Sequence, residues 1–216
     1  MRRLAILGAS GHGKVVADAA LTSGWDSVLF YDDAYPGKCS NGKHAIWGDS
    51  AALFDAIVCG DVQGIVIAIG DNKIRHRILS DFIQAKMPLV SVIHPSAIIS
   101  PSAVIGPGSV VLAGAVVNAD ACIGAGCIIN TNAVVEHDCL LADCVHISPA
   151  ASLAGGTVVG CGVWVGIGAV TKQSISIGQY AIVGAGAAVI HNVDAGVTVV
   201  GVPAQLLEGN RSPAPA

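Results

Sequence analysis

Residues 97–192 repeat a six-residue hydrophobic pattern without interruption. The third position of each hexad is Ile, Leu or Val in fifteen of sixteen hexads, with Thr171 as the exception, while small residues dominate the first position. Glycine is frequent at the fourth and sixth positions. A hexad of this kind is typical of a short strand followed by a tight corner, so three hexads complete one triangular coil, and coils stack about 4.8 Å apart. The repeat therefore predicts a hexapeptide parallel β-helix of a little over five coils.

Residues 1–95 follow a different pattern, in which short apolar runs alternate with segments of helical spacing. Strands are predicted at 4–7, 27–33, 64–72 and 90–93, and helices at 14–24 and 73–86. Strand–helix–strand alternation forms a small parallel sheet with helices packed on it. We therefore expect an α/β, Rossmann-like half domain over 1–95, a β-helix domain over 96–207 and a disordered tail over 208–216.

The composition indicates extensive burial between copies of the chain. Hydrophobic residues make up 53% and charged residues 12%, against about 25% charged in ordinary soluble domains. No apolar run approaches the roughly 18 residues of a membrane span, and the apolar run before Gly8 is too short for a signal peptide. We therefore expect a cytoplasmic oligomer without a membrane partner. The three flat sides of the repeat suit a closed trimer.

Charge and cysteine usage narrow the classes of partner further. The net charge is −4 and the basic residues are scattered, so nucleic acid, which needs a basic surface, is not an expected partner. Seven cysteines occur without a CxxC pair. Five of them lie among the alternating small and large residues of the repeat, and we expect these to be reduced packing residues: Cys122, Cys127, Cys139, Cys144 and Cys161.

Three polar segments follow strands of the N-terminal half: Gly8–Gly13, Asp32–Asp33 and Gly70–Asn72. Ligands of parallel sheets bind beyond the carboxyl ends of the strands. Backbone N–H groups at the start of the first helix can hold a phosphate, and acids beyond the next strand can accept from a ribose or base. The turn reads G-x-x-G-x-G and not the dinucleotide pattern G-x-G-x-x-G, and the domain holds one half of a doubly wound unit, so a mononucleotide group is favoured over NAD. The alternative is a glycine turn that only packs strand against helix.

The segment VVEHDCLLADCVH (134–146) places ionisable side chains in the least charged part of the chain. Histidine can act as a general base near neutral pH, and an adjacent carboxylate can orient its ring. Glu136 and Asp138 both flank His137, and Asp138 is favoured because it occupies the sixth hexad position, close to a corner. His146 is a second candidate. The alternative for each histidine is a solvated corner residue.

The motifs GASGHGKV, FYDD, AIGDN, HPSA, EHD, VHIS and GVPA follow one another in a specific order between residues 3 and 207. This order resembles the bacterial nucleotide-amino-sugar N-acetyltransferases of the bacillosamine and perosamine pathways, and the related sialic acid O-acetyltransferases. The resemblance implies a left-handed β-helix and a homotrimer with active sites between subunits. It also implies acetyl-CoA as donor and a nucleotide-linked 4-amino-4,6-dideoxy sugar as acceptor.

The resemblance also implies roles for individual residues. His137 matches the catalytic base and Asp138 its orienting acid, where the bacillosamine enzymes have Glu. His146 matches a contact to the thioester end of acetyl-CoA. Ile167 and Ala185 match contacts to the CoA arm, Ala185 in place of a glycine. The implied nucleotide-sugar contacts are Ser10, Gly11 and His12 for the phosphates, Asp32 and Asp33 for base and ribose, and Gly70 on the same rim. Gln205 replaces a basic residue that often follows GVPA in the family.

Three other functions compete with N-acetyl transfer. Sialic acid O-acetyl transfer uses the same fold with a hydroxyl acceptor. A metal-dependent hydratase of the hexapeptide carbonic anhydrase type needs three histidines for zinc, and His137 with His146 leaves it one short, so no metal is expected. A non-catalytic sugar-nucleotide binding protein gives the acidic–histidine cluster no role. The nucleobase, UDP, GDP or dTDP, is left open.

Overall fold

The computed structural model describes residues 2–207; the tail expected at 208–216 lies outside the described residues. The N-terminal part contains β1 (Arg3–Leu7), α1 (Gly11–Thr22), β2 (Ser27–Tyr31), β3 (Ser40–Asn41), β4 (His44–Gly48), α2 (Ser50–Val58), β5 (Gly64–Ile67) and α3 (Asn72–Gln84). Its sheet has the order β3-β4-β2-β1-β5. β1 pairs in parallel with β2 and β5, which confirms the expected Rossmann-like arrangement.

The strand β1 is apolar after its first residue, Arg3, because helices cover both sides of the sheet. Leu4 and Ile6 belong to a cluster with α1, whereas Ala5 and Leu7 pack with α2 and α3. A parallel strand covered on both faces has no polar side, so its sequence shows no alternation. The predicted helices form near their expected positions, but α2 and the β3–β4 hairpin were not predicted from the pattern. The apolar residues of α2 (SAALFDAIV) surround most of the helix, which hides its periodicity.

The repeat region forms one two-residue strand per hexad, preceded by one strand and followed by two. These are β6 (Val92–Ile93), β7 (Ile98–Ile99), β8 (Val104–Ile105), β9 (Val110–Val111), β10 (Val116–Val117), β11 (Cys122–Ile123), β12 (Ile128–Ile129), β13 (Val134–Val135), β14 (Leu140–Leu141), β15 (His146–Ile147), β16 (Ser152–Leu153), β17 (Val158–Val159), β18 (Trp164–Val165), β19 (Val170–Thr171), β20 (Ser176–Ile177), β21 (Ile182–Val183), β22 (Ala188–Val189), β23 (Thr198–Val200) and β24 (Gln205–Leu206).

These strands stack into three sheets that form the sides of a prism. The first face is β7-β10-β13-β16-β19-β22, the second is β8-β11-β14-β17-β20, and the third is β6-β9-β12-β15-β18-β21-β23-β24. Paired strands within each of these sheets come from successive coils and are eighteen residues apart in the sequence, as in Val116↔Val134 and Ile128↔His146. Three hexads therefore make one coil, as predicted. The aliphatic third positions form the prism's interior, and Thr171 is half-buried, its Oγ1 accepting from Ala154 N at 2.9 Å.

The sixth hexad position has a left-handed backbone at every corner from Gly108 to Gly186, with φ between 55° and 71°. Glycine adopts this conformation without steric cost, and Asn and Asp tolerate it better than most residues. This geometry explains the glycines of the repeat. It also places Asp138, with φ 59°, at a corner.

The strand expected at 90–93 forms at Val92–Ile93 but belongs to a different sheet. It pairs with Val110–Val111 on the third face, whereas the last residue that pairs with the N-terminal sheet is Leu89, through a bridge to Ile65. The prediction that this strand extends the Rossmann-like sheet was therefore wrong. Val92 of β6 is buried among side chains of α1 and of the third face. Packing between the two parts of the chain therefore decided which sheet β6 joins.

The cysteines of the repeat divide by their place in the hexad. Cys127, Cys139 and Cys144 are buried as predicted, and Cys161 is half-buried. Cys122 is exposed on the single chain, because the first residue of each strand points outward from the prism and Cys122 begins β11 on the second face. All seven are free thiols. Within residues 2–207 no helix has the length and apolarity to cross a bilayer, the longest being α3 with 13 residues.

Candidate functional site

His137 and Asp138 form a hydrogen-bonded pair at a corner between the first and second faces. Their Nδ1 and Oδ2 atoms are 2.7 Å apart, and the two side chains are 63% and 65% exposed. Adjacent side chains of an extended strand point to opposite sides. The left-handed backbone at Asp138 bends the chain and brings this pair together.

Glu136 has a different partner. Its Oε2 accepts from Asn118 Nδ2 at 2.9 Å, one coil earlier. Between the two acids that flank His137, Asp138 is therefore the one that contacts the ring, and Glu136 is tied to its neighbouring coil.

The bond to Asp138 defines the protonation of His137. A carboxylate only accepts, so Nδ1 carries the proton and Nε2 is free to accept one. The hydrogen bond to Asp138 is the main reason that the pKa of His137 is raised above its ordinary value, and the charges of Asp138 and Glu136 add to it. The arrangement is that of a base oriented by an acid.

Gly155 leaves the space that the His137 ring occupies. It lies eighteen residues after His137, one coil further, and a Cβ there would be 2.5 Å from Nε2 and 2.6 Å from Cε1. A larger residue would displace the ring. Sequence reasoning missed Gly155, although the eighteen-residue coil spacing could have identified it.

His146 lies on the third face in β15 and is held by two neighbours. Asn130 Nδ2 is 3.1 Å from His146 Nε2, and Asn130 Oδ1 accepts from Thr131 N at 2.8 Å, which orients the amide. The ring stacks on Trp164 with centroids 5.8 Å apart and planes 4° apart. Sequence reasoning missed Asn130 and Trp164, which lie sixteen residues before and eighteen residues after His146.

The environment keeps His146 neutral. Burial is the main cause that lowers its pKa to about 3, and the positive charge of Arg75 contributes. Because Asn130 donates to Nε2, the ring proton is on Nδ1, which is buried and has no hydrogen-bond partner among the described residues. His146 is therefore suited to donating a hydrogen bond rather than to accepting a proton.

His146 lines an apolar groove that crosses the third face. The groove has a volume of about 450 Å³ and is also lined by Trp164, Ile167 and Ala185. The structure thus brings together the three residues implied as CoA contacts. A second cavity of about 520 Å³ shares His146 and Trp164 and reaches Gly70 on the N-terminal part.

Asp32 and Asp33 line a separate cavity of about 450 Å³ at the carboxyl ends of β1, β2 and β5, together with Gly8 and Arg77. Each acid also holds a loop. Asp32 Oδ2 accepts from Ala9 N at 2.7 Å. Asp33 Oδ1 accepts from Ser50 N at 2.9 Å, at the start of α2. Both acids are therefore placed at the cavity by backbone contacts.

The glycine turn presents its residues in two directions. Ser10 and Gly11 are exposed at the N-terminus of α1, with no atom within 4 Å of a Cβ built on Gly11. His12 instead points inward, and its Nε2 is buried without a partner among residues 2–207. Burial, with the charge of Arg75, lowers the pKa of His12 to about 4. Of the three residues implied as phosphate contacts, Ser10 and Gly11 are exposed and His12 is half-buried.

One chain does not bring His137 and His146 together. His137 lies at the corner where the first and second faces meet, and His146 lies on the third face. In a three-sided prism that corner is opposite the third face.

Residues 2–207 contain no group of three His, Cys, Asp or Glu side chains placed to hold a metal ion.

The N-terminal sheet, the prism and the groove define an acyltransferase of the hexapeptide-repeat, left-handed β-helix class. Residues 3–82 match the family of the PglD N-terminal domain. The chain is 33% identical over 193 residues to GDP-perosamine N-acetyltransferase of Escherichia coli O157:H7, covering 87% of this chain and 84% of that protein. The chain belongs to the bacterial sugar N-acetyltransferase family.

Two solved structures are similar over almost the whole chain. PerB from Caulobacter crescentus in complex with CoA and GDP-perosamine is 37% identical with a TM-score of 0.90, covering 96% of this chain and 98% of that one. The acetyltransferase domain of PglB from Neisseria gonorrhoeae in complex with acetyl coenzyme A is 40% identical with a TM-score of 0.90, covering 95% and 99%.

Proposed function

We propose that this protein transfers an acetyl group from acetyl-CoA to the amine of a nucleotide-linked 4-amino-4,6-dideoxy sugar. The observation that carries the proposal is the 2.7 Å contact between His137 Nδ1 and Asp138 Oδ2, which leaves Nε2 as a base. Two of the similar proteins act on or bind GDP-perosamine by name, so a GDP-linked amino sugar is the first acceptor to test.

The chemistry follows from the protonation of the two histidines. The neutral amine attacks the thioester carbonyl, and His137 Nε2 takes the proton that the nitrogen loses. Asp138 stabilises the imidazolium that forms. The C–S bond then breaks, and the CoA sulfur leaves as a thiol with the proton that His137 Nε2 took from the amine. His146, which is neutral and lines the groove, packs beside the thioester end.

The cavities suggest a path for both substrates. The nucleoside occupies the cavity of Asp32 and Asp33, and its diphosphate binds the N-terminus of α1 at Ser10 and Gly11. The sugar passes the Gly70 rim toward His146, which the second cavity connects to Gly70. The CoA arm follows the groove past Ile167 and Ala185.

The active site is composed from two copies in a homotrimer. The His137 corner and the third-face groove point in different directions on one chain, so His137 of one copy serves the groove of the next. The first and second faces expose apolar side chains that a closed trimer covers: Ile98, Val104, Leu140, Val158 and Val170.

The proposal is tested by incubating the protein with acetyl-CoA and a panel of UDP-, GDP- and dTDP-linked 4-amino-4,6-dideoxy sugars, and following CoA release with a thiol reagent. We expect turnover of one amino sugar, reduced by about 10²–10⁴-fold in His137→Ala, as for loss of a general base. His191→Ala, an exposed histidine of the last coil, is the matched control and should keep native turnover.

The absence of CoA release with every amine would overturn the proposal. Sialic acid acceptors would then test O-acetyl transfer, and metal analysis of the purified protein would test the hydratase alternative.

A further inference from the structure

Helix α3 lies along the edge of the prism where the second and third faces meet. We call the corners of this edge the corner ladder; they are spaced by eighteen residues and are Gly108, Gly126, Cys144, Gly162 and Tyr180. Leu79 packs against the first two corners, within 3.6 Å of a Cβ built on Gly108 and 2.9 Å of one on Gly126. His76 Nδ1 is 2.8 Å from the Tyr180 hydroxyl at the far end. Successive turns of α3 thus contact successive coils.

Arg75 is at the centre of this contact and is completely buried. Its five N–H groups meet five oxygen atoms. Nε donates to Gly126 O at 2.8 Å, Nη1 to Ile69 O at 2.7 Å and Gly70 O at 3.2 Å, and Nη2 to Asn72 Oδ1 at 2.7 Å and Cys144 O at 2.8 Å. Three of these acceptors are in the segment after β5, which runs from Ile69 to the first residue of α3, Asn72, and two are in the corner ladder.

Asn72 extends the same link by one coil. Its Oδ1 accepts from Arg75, and its Nδ2 donates to Gly162 O at 3.0 Å and Val163 O at 3.1 Å. The loop from Ile69 to Asn72 is therefore bound to three consecutive coils through two side chains.

Stability alone is a poor explanation for this arginine. Burying a guanidinium is costly, and well-packed apolar side chains often stabilise such a junction as well or better. Within residues 2–207 no carboxylate pairs with Arg75, so its charge is met only by carbonyl and amide oxygens. What arginine adds over an apolar residue is a rigid planar fork of five donors, which fixes the positions of all its acceptors.

The loop that Arg75 holds is the one that borders both substrates. Ile69 lines the cavity of Asp32 and Asp33, and Gly70 lines the second cavity together with His146 and Trp164. The position of this loop along the prism axis therefore sets the distance between a sugar bound to the N-terminal part and a thioester held at His146.

We propose that Arg75 is a positioning residue that holds the Ile69–Asn72 loop in register with the acyl groove, so that the acceptor amine and the thioester meet at reacting distance. This inference rests on the proposed function. Arg75 contacts neither substrate, since all its donors are occupied, and it acts through the loop and the ladder.

The test compares Arg75→Lys with the native protein. Lysine keeps the charge but has three donors on a flexible stem, so it cannot span both parts of the chain. We expect kcat to fall about 10- to 100-fold, the loss typical of misplacing reacting groups by about 1 Å. The Kd values of CoA and of the nucleotide sugar, each measured alone by calorimetry, should stay within about threefold of native because each separate site is intact. Arg3→Lys, an exposed arginine at the start of β1, is the matched control.

Asn72→Ala is the second variant. It removes the loop's side-chain link to Gly162 while Arg75 keeps its other acceptors, so kcat should fall by a smaller factor with the two Kd values unchanged. If Arg75→Lys does not fold, this variant decides the matter. A native kcat per folded molecule in either variant, or a loss confined to the two Kd values, overturns the proposal.

Amide hydrogen exchange separates this inference from the proposed function. Exchange of residues 69–72 should accelerate in Arg75→Lys well below its melting temperature, and remain native in Arg3→Lys. If the native protein acetylates no amino sugar, the proposed function has failed. The exchange result still shows whether Arg75 holds the loop, and unchanged exchange would refute that.

Discussion

At the scale of residues, the candidate base depends on one backbone conformation. The contact between His137 and Asp138 exists because the sixth hexad position is left-handed, which turns two neighbouring side chains to the same side. Gly155, one coil further, leaves room for the ring. The two histidines of the site differ in charge state for physical reasons: His137 is exposed and paired with an acid, whereas His146 is buried beside a cation.

Asp138→Asn should change the pH dependence of acetyl transfer in a defined direction. Asp138 stabilises the imidazolium and so raises the pKa of His137; without it the pKa falls, and the neutral base persists to lower pH. We expect the acid limb of kcat/KM to move to lower pH and the maximum rate to drop by about 10- to 100-fold, since the ring loses its orienting partner.

The matched control for this prediction is Glu136→Gln. Glu136 is bonded to Asn118 rather than to the ring, so this variant should shift the acid limb less. An acid limb that stays in place or moves upward in Asp138→Asn would contradict the assignment.

At the scale of elements, α3 connects the two parts of the chain. Asp71 precedes the helix and caps it, its side chain accepting from Ile74 N at 2.9 Å. The Arg75 fork and the packing of Leu79 both lie on the side of α3 that faces the corner ladder. The helix therefore has both an apolar and a polar contact with the prism.

Leu79→Ala should lower the stability of the folded chain. Leu79 is 1% exposed and belongs to the cluster that joins α3 to Ala125 and Cys144, so truncation leaves a cavity where the prism cannot collapse. We expect a loss of about 2–5 kcal/mol in the free energy of unfolding, measured by urea denaturation. Ile83→Ala, on the same helix but 49% exposed, should cost much less. Equal losses would show that α3 does not depend on this contact.

At the scale of the whole molecule, the proposed site needs two copies of the chain. His137 is contributed from the corner opposite the third face, where His146 and the groove lie. A closed ring of heterologous contacts supplies each groove with one such corner. Activity should therefore depend on assembly as well as on the residues.

Mixing two inactive variants tests this dependence. His137→Ala keeps an intact groove, and His146→Ala keeps an intact corner, so a mixed trimer contains some native sites. Co-expression in equal amounts should restore about one quarter of native turnover, the fraction of interfaces that pair the two intact halves at random. Turnover no greater than that of the separate variants would place both histidines in a site within one chain.

Much of the architecture could be predicted from the sequence because it depends on local periodicity. The hexad specifies which residue points inward, and the eighteen-residue coil then specifies its neighbours, as for Val116 and Val134. The preference for Asp138 over Glu136 was of the same kind, since the hexad position identified the corner.

The tertiary structure alone decided the features that join the two parts of the chain. The pairing of Val92–Ile93 with the third face, the five acceptors of Arg75 and the inward direction of His12 depend on packing between segments without a common period. The separation of His137 from His146 has the same origin, because nine residues of a triangular coil carry the chain to another side of the prism. A repeat determines which residues are neighbours one coil apart. How the N-terminal part packs on the prism is determined only by the side chains that meet between them.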